Sequence, residues 1–145
     1  MKRVRALVVE DNEDHRFLTM RALQDVEGVR IDVEGVRNGE EALAYVFGQG
    51  DYAGKPLPHV IFLDLRMPKV NGLEVLERIK RDTELALIPI VVLTSSDRDE
   101  DVDAAYRLGS NSYVKKPGSA EELRRGLRGM ADYWTAGSVL PECQR

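Results

Sequence analysis

Cysteine is almost absent from this 145-residue chain. The single one, Cys143, excludes an internal disulfide, and nothing points to an oxidising compartment. With only two histidines, His15 and His59, there is no third imidazole for a zinc-type site. Long hydrophobic runs are missing as well. The apolar stretch of MKRVRALVVEDNED ends at Glu10 after a few residues, too short for a signal-peptide core or a membrane span, so a soluble, cytoplasmic protein is expected. Nor is there a positive excess. Lys and Arg number 21 against 25 Asp and Glu, a net charge of -4 with the two signs interspersed, which argues against nucleic-acid binding through a basic stripe. Repeats and low-complexity tracts are absent too, and the length suits one folded unit with a substantial core and no second unit of comparable size.

What is present is a rhythm. Five short apolar runs recur: VRALVVE from Val4, VRIDVEG from Val29, HVIFLD from His59, IPIVVLT from Ile88 and NSYVKK from Asn111. Helical patterns separate them, which predicts an α/β fold whose parallel sheet carries helices on both faces. The first, third and fourth runs are almost continuously apolar and should be the central strands. Asn12 is placed to cap the first helix, with Leu18, Ala22, Leu23 and Val26 on its apolar face, and Asn38 with Glu41 the second. A third helix should start near Gly72. A fourth should run from about Asp99 to Leu108 and stop at Gly109, and Ser119 with Glu122 should open a fifth carrying Leu123, Leu127, Met130 and Trp134.

Polar residues sit where these apolar strands end: Glu10 and Asp11 after the first, Asp64 after the third, Thr94 after the fourth and Lys116 after the fifth. In an open α/β sheet, ligands collect at those carboxyl ends. Two unit charges about 4 Å apart repel by about 4 kcal/mol at an effective dielectric near 20, a serious load on a domain stable by about 5 to 15 kcal/mol. Three carboxylates there call for a cation between them, and Mg²⁺, a hard ion that takes oxygen ligands, suits the set. Asp64 can also act as a nucleophile that accepts a phosphoryl group as an acyl phosphate. Thr94 offers a hydroxyl and Lys116 a positive charge to the phosphoryl oxygens.

VVEDNED, LDLRMPKVNG, VVLTSS and SYVKKP, in this order, resemble the receiver domains of two-component response regulators over about residues 4 to 133. One such motif alone is weak; four in order at strand ends are specific. The resemblance implies a doubly wound five-stranded parallel sheet of order 2-1-3-4-5, flavodoxin-like, with a receiver domain over residues 1–134 and a tail over 135–145. It implies phosphorylation of Asp64 by a histidine kinase, with Mg²⁺ held by Glu10, Asp11, Asp64 and the main-chain carbonyl of Arg66. It further implies Thr94 and Tyr113 as the switch pair, Lys116 as the phosphoryl-binding cation and a cis Lys116–Pro117 bond. Such a protein is a switch with intrinsic self-phosphorylation and dephosphorylation chemistry, not an enzyme acting on separate substrates.

Two departures stand out: Glu10 replaces the commoner aspartate, and Arg66, two positions beyond Asp64, has an arm long enough to reach over the site. LALIPIVVLTSS, YRLGSNSYVKKP and ADYWTAGSVLPE narrow the likeness to single-domain regulators that partner bacterial phytochrome histidine kinases. His15 reads as an exposed first-turn residue, His59 as a loop residue and Cys143 as a bystander. Tyr133, Trp134, Val139 and Leu140 either fold back onto the fifth helix or form an apolar patch for a kinase or a second copy of the chain, in which case a homodimer follows. Rival readings are a Mg²⁺-dependent aspartyl phosphatase, for which Arg66 stands where a second acid is needed, and a scaffold that is never phosphorylated.

Overall fold

Alternating side chains make each central strand a wall between two apolar layers, and the five runs become five parallel strands. A computed structural model describes residues 1–143. The strands are β1 (Lys2–Val9), β2 (Val29–Val36), β3 (Val60–Leu63), β4 (Ile90–Thr94) and β5 (Ser112–Lys115). Their order is β2-β1-β3-β4-β5, as the resemblance implies. Ile61 and Leu63 of β3, with Leu7, Val9, Ile90 and Val92, face one layer, while Val60 and Phe62, with Ala6, Val8, Val91 and Leu93, face the other. Burying each such Leu, Ile or Phe side chain contributes about 1.5 to 3 kcal/mol.

Helices α1 (Glu13–Gln24) and α5 (Ala120–Ala131) cover the second layer. The first is covered by α2 (Gly39–Val46), α3 (Gly72–Arg81) and α4 (Asp99–Arg107). Four of the five start on a side-chain cap: Asn12 accepts from His15 N–H, Asn38 from Glu41, Asn71 from Glu74 and Ser119 from Glu122. Each such cap is worth about 1 kcal/mol. Helix α4 has no side-chain cap, and it stops before Gly109, whose φ of 107° is in the left-handed region.

Beyond α5 the chain makes a π-helical turn, Asp132–Gly137, and then runs past the amino-terminal edge of the sheet. Lys2 Nζ donates to Ser138 O at 2.6 Å, the Glu142 carboxylate lies 3.3 Å from Arg5 Nη2 and 2.7 Å from His59 Nε2, and the Cys143 thiol donates to Glu84 O at 2.9 Å. The apolar set of the tail is divided: Trp134 and Leu140 pack against the α1/α5 layer, whereas Tyr133 is 59% and Val139 96% exposed. Residues 144 and 145 lie outside the described residues.

Two readings are revised and one is refined. His59 does lie in the loop just before β3, but it is buried, and its Nδ1 accepts from Arg5 N–H at 2.8 Å, which leaves Nε2–H to donate to Glu142. Cys143 is buried in the layer of α2 and α3. The Lys116–Pro117 bond is trans, as there is no cis peptide among the described residues; trans is also the intrinsically favoured form of an X–Pro bond, by about 0.5 to 1 kcal/mol.

Replacing Glu142 with Ala strands a buried imidazole N–H, which costs about 1 to 3 kcal/mol when nothing else satisfies it. Urea unfolding should report a loss of about 1 kcal/mol or more, and a smaller loss when His59 has already been replaced by Leu.

Candidate functional site

β1 and β3 finish in register at Val9 and Leu63, so the following residues, Glu10 and Asp64, leave the sheet side by side. This is the pair of strands at which the order reverses, where an open parallel sheet forms its crevice. Asp11 follows directly. Carboxylate oxygens of Glu10, Asp11 and Asp64 lie within 4.8 Å of one another, with Glu10 and Asp64 buried and Asp11 exposed. Thr94 ends β4, and Lys116 is held level with it by its backbone N–H, which donates to Thr94 O at 2.7 Å.

Lys116 is only 6% exposed, and its ammonium serves three acceptors. It donates to Glu10 Oε1, lies 3.4 Å from Asp64 Oδ2 and stands 3.0 Å from His15 Nδ1. Asp64 Oδ1 accepts from Arg66 N–H at 3.1 Å, and Glu10 Oε2 from Asn12 N–H at 3.2 Å. These contacts do not balance the negative charge. Burial, followed by the hydrogen bond with Asp64, pushes the Glu10 carboxyl up to about 7, although Lys116 acts in the opposite direction. The shift favours a proton on Glu10, in the direction in which a bound cation would relieve the same crowding.

An all-oxygen donor set this close fits a hard divalent ion. Thr94 supplies an independent sign of an oxygen ligand. Its buried hydroxyl has no hydrogen-bond partner among the described residues, a deficit that an incoming oxygen would relieve. Gly72 shapes the wall: a Cβ there would sit 2.5 Å from Asp64 O and from Leu65 Cα.

Of the residues singled out in the sequence, Glu10, Asp11, Asp64 and Lys116 come together, Thr94 lies at the adjoining strand end, and two others point elsewhere. The Arg66 guanidinium does not lie over Asp64; it is exposed and 3.9 Å from Asp101 Oδ2 on α4. Tyr113 is tied away from Thr94, its hydroxyl donating to Ser96 O at 2.7 Å. Ser96 in turn donates to Asp101 at 2.5 Å. The residue that the sequence reading missed is His15, half-buried against Lys116. The available signal was Asn12: as the cap it fixes His15 at the third position of α1, at the rim of the crevice.

The response regulator receiver domain, as a family, matches residues 6–128. The chain belongs to that family. Relatives extend the match: the probable methanogenesis regulatory protein FilR2 of Methanothrix harundinacea is 45% identical over 136 residues, covering 93% of this chain and 86% of that one. Response regulator Rcp1 of Synechocystis is 36% identical, with 93% and 91% covered. The crystal structure of the phosphorylated cyanobacterial phytochrome response regulator RcpA superposes with a TM-score of 0.92 at 37% identity, over 96% of this chain and 99% of that one. The Mn²⁺-bound form of Rcp1 gives 0.91 at 35%, over 95% and 99%. No helix of the receiver among the described residues is long and apolar enough to cross a membrane.

The Glu10 carboxyl, raised from 4.5 to about 7, makes the receiver bind a proton more tightly folded than unfolded. The sign follows: in metal-free protein the Glu10 contribution is most favourable below pH 4.5 and is lost as pH rises to about 7, on the order of 3 kcal/mol in all. Urea unfolding in a chelator across this range should show the decline, and Glu10→Gln should flatten it. Parallel pH profiles for the two proteins would contradict the assignment.

Proposed function

We propose that the receiver accepts a phosphoryl group on Asp64 from the phosphohistidine of a histidine kinase, in a Mg²⁺-dependent reaction, and that the acyl phosphate drives a conformational switch. The observation that carries this reading is the buried Asp64 carboxylate, flanked by two further acids and 3.4 Å from a buried lysine. An Asp64 oxygen attacks phosphorus, the P–N bond breaks, and the imidazole leaves. Lys116 and the Thr94 hydroxyl donate to the equatorial phosphoryl oxygens. Glu10, Asp11, Asp64 and the main-chain carbonyl of Arg66 would hold Mg²⁺, which when bound offsets the charge on those oxygens. Attack of water on phosphorus later breaks the P–O bond, releases inorganic phosphate and restores Asp64.

The switch follows from the hydroxyl that phosphorylation satisfies. As Thr94 moves towards the phosphoryl group, Tyr113 exchanges its bond to Ser96 O for the vacated space, and the surface of α4, β5 and α5 changes with it. The similarity to RcpA, and to the bacteriophytochrome response regulator RtBRR at 39% identity, supports a phytochrome histidine kinase as the donor. Tyr133 and Val139 are exposed apolar side chains that association with a second copy or a downstream protein would cover. An aspartyl phosphatase is disfavoured, since Arg66 occupies the position of its second acid and points to Asp101.

Acetyl phosphate with Mg²⁺ should add one phosphoryl group by intact mass, and Asp64→Asn should abolish it. An adduct on that variant would refute the assignment. Thr94→Ala should still label at Asp64 but lose the shift of the Tyr113 resonance on phosphorylation. Among candidate kinases, a phytochrome kinase should transfer at least about tenfold faster, a difference of about 1.4 kcal/mol in barrier.

A further inference from the structure

His15 supplies no group to the proposed phosphoryl transfer itself, yet its Nδ1 lies 3.0 Å from Lys116 Nζ. An ammonium has three N–H donors and no acceptor, so the ring nitrogen must be the one that accepts. That defines His15 as the neutral tautomer with its hydrogen on Nε2. The remaining two hydrogens of the ammonium go to Glu10 Oε1 and towards Asp64 Oδ2. Every N–H of this buried cation therefore has an acceptor, each on a different element: the end of β1, the end of β3 and the first turn of α1.

The plain alternative is a half-exposed ring resting against a neighbour, but the backbone of His15 is pinned from both sides. Its N–H donates to Asn12 Oδ1 at 3.0 Å, and its carbonyl accepts from the buried Thr19 hydroxyl at 2.8 Å. Burial, then the charge of Lys116, holds the imidazole below its ordinary pKa, against the opposing pull of Asp64, Asp14 and Asp11. The ring is therefore neutral and able to accept at pH 7. Glu10 and Asp64 belong to the carboxylate cluster and answer to its other charges. His15 is the acceptor without a second duty.

We infer that His15 is a positioning residue for phosphoryl transfer: its neutral Nδ1 holds the Lys116 ammonium in place beside Asp64, where the phosphoryl oxygens arrive. This rests on the reading of Asp64 as the phosphoacceptor. A lysine on a four-carbon stem has many rotamers, and an acceptor fixed to a helix start removes that freedom before the reaction begins.

The test uses the full chain and two readouts. In the first, Mg²⁺-dependent binding of beryllofluoride should weaken about five- to tenfold in His15→Ala, the size of one hydrogen bond to a charged group. His15→Gln, which restores an acceptor, should recover most of the loss, and His15→Ala should add less than about twofold in a Lys116→Ala background, since there is then nothing to position. In the second, nitrogen NMR of metal-free protein, with only two histidines to assign, should show His15 almost wholly as the Nε2–H tautomer with a hydrogen-bonded Nδ1, and the Nδ1 signal should shift to that of an unbonded acceptor in Lys116→Ala. Wild-type affinity in His15→Ala, an equal loss with and without Lys116, or an Nδ1–H tautomer overturns the role. Wild-type protein that takes neither beryllofluoride nor the acetyl phosphate label overturns the phosphoacceptor reading instead, and the tautomer then still reports on the His15–Lys116 bond by itself.

Discussion

Parallel pairing in register brings Glu10 and Asp64 out of β1 and β3 at the same level, into a crevice from which most water is excluded. Two carboxylates in that position cannot both be charged at ordinary pH without a counter-charge. One lysine, itself buried, supplies part of it, and burial raises the Glu10 carboxyl, which favours its protonated form. The remaining deficit is what makes the site receptive. In the proposed reaction, a doubly charged cation and the incoming phosphoryl group would complete an arrangement that the protein alone leaves unbalanced.

From that imbalance the conformational readout follows. Thr94 holds an unsatisfied hydroxyl at the end of β4, while the loop after it is cross-linked by Tyr113 to Ser96, by Ser96 to Asp101 and by Arg98 and Arg66 to the same aspartate. The exposed ion pairs in this set are individually weak. In the proposed switch, satisfying the Thr94 hydroxyl would compete with these loop contacts.

The sheet was legible because its signals are local. Apolar runs bounded by acids, the Asn12 cap, the Asn38 and Ser119 caps with an acidic residue three places on, and Gly109 at a helix end all act within a few residues of themselves. The convergence of Glu10, Asp64, Thr94 and Lys116 was legible because strand ends share one edge. What escaped the sequence depends on distant partners. His15 meets Lys116 across 101 positions and His59 meets Glu142 across 83, and neither spacing leaves a pattern in the chain. Cys143 looked incidental because the core it enters is built from α2 and α3. Arg66 was given the right length and the wrong direction, since Asp101 lies in the first turn of a helix whose orientation no local signal specifies.

If the proposed metal site is right, the crowded acidic cluster with its raised Glu10 carboxyl should give up a proton when a divalent ion enters. Calorimetric titration of Mg²⁺ at about pH 6, in two buffers of unequal ionisation enthalpy, measures that exchange directly. The expected result is uptake of one ion with release of most of one proton, and loss of the proton release in Glu10→Gln. Binding to the wild-type protein with no proton released, or no binding at all, would contradict it.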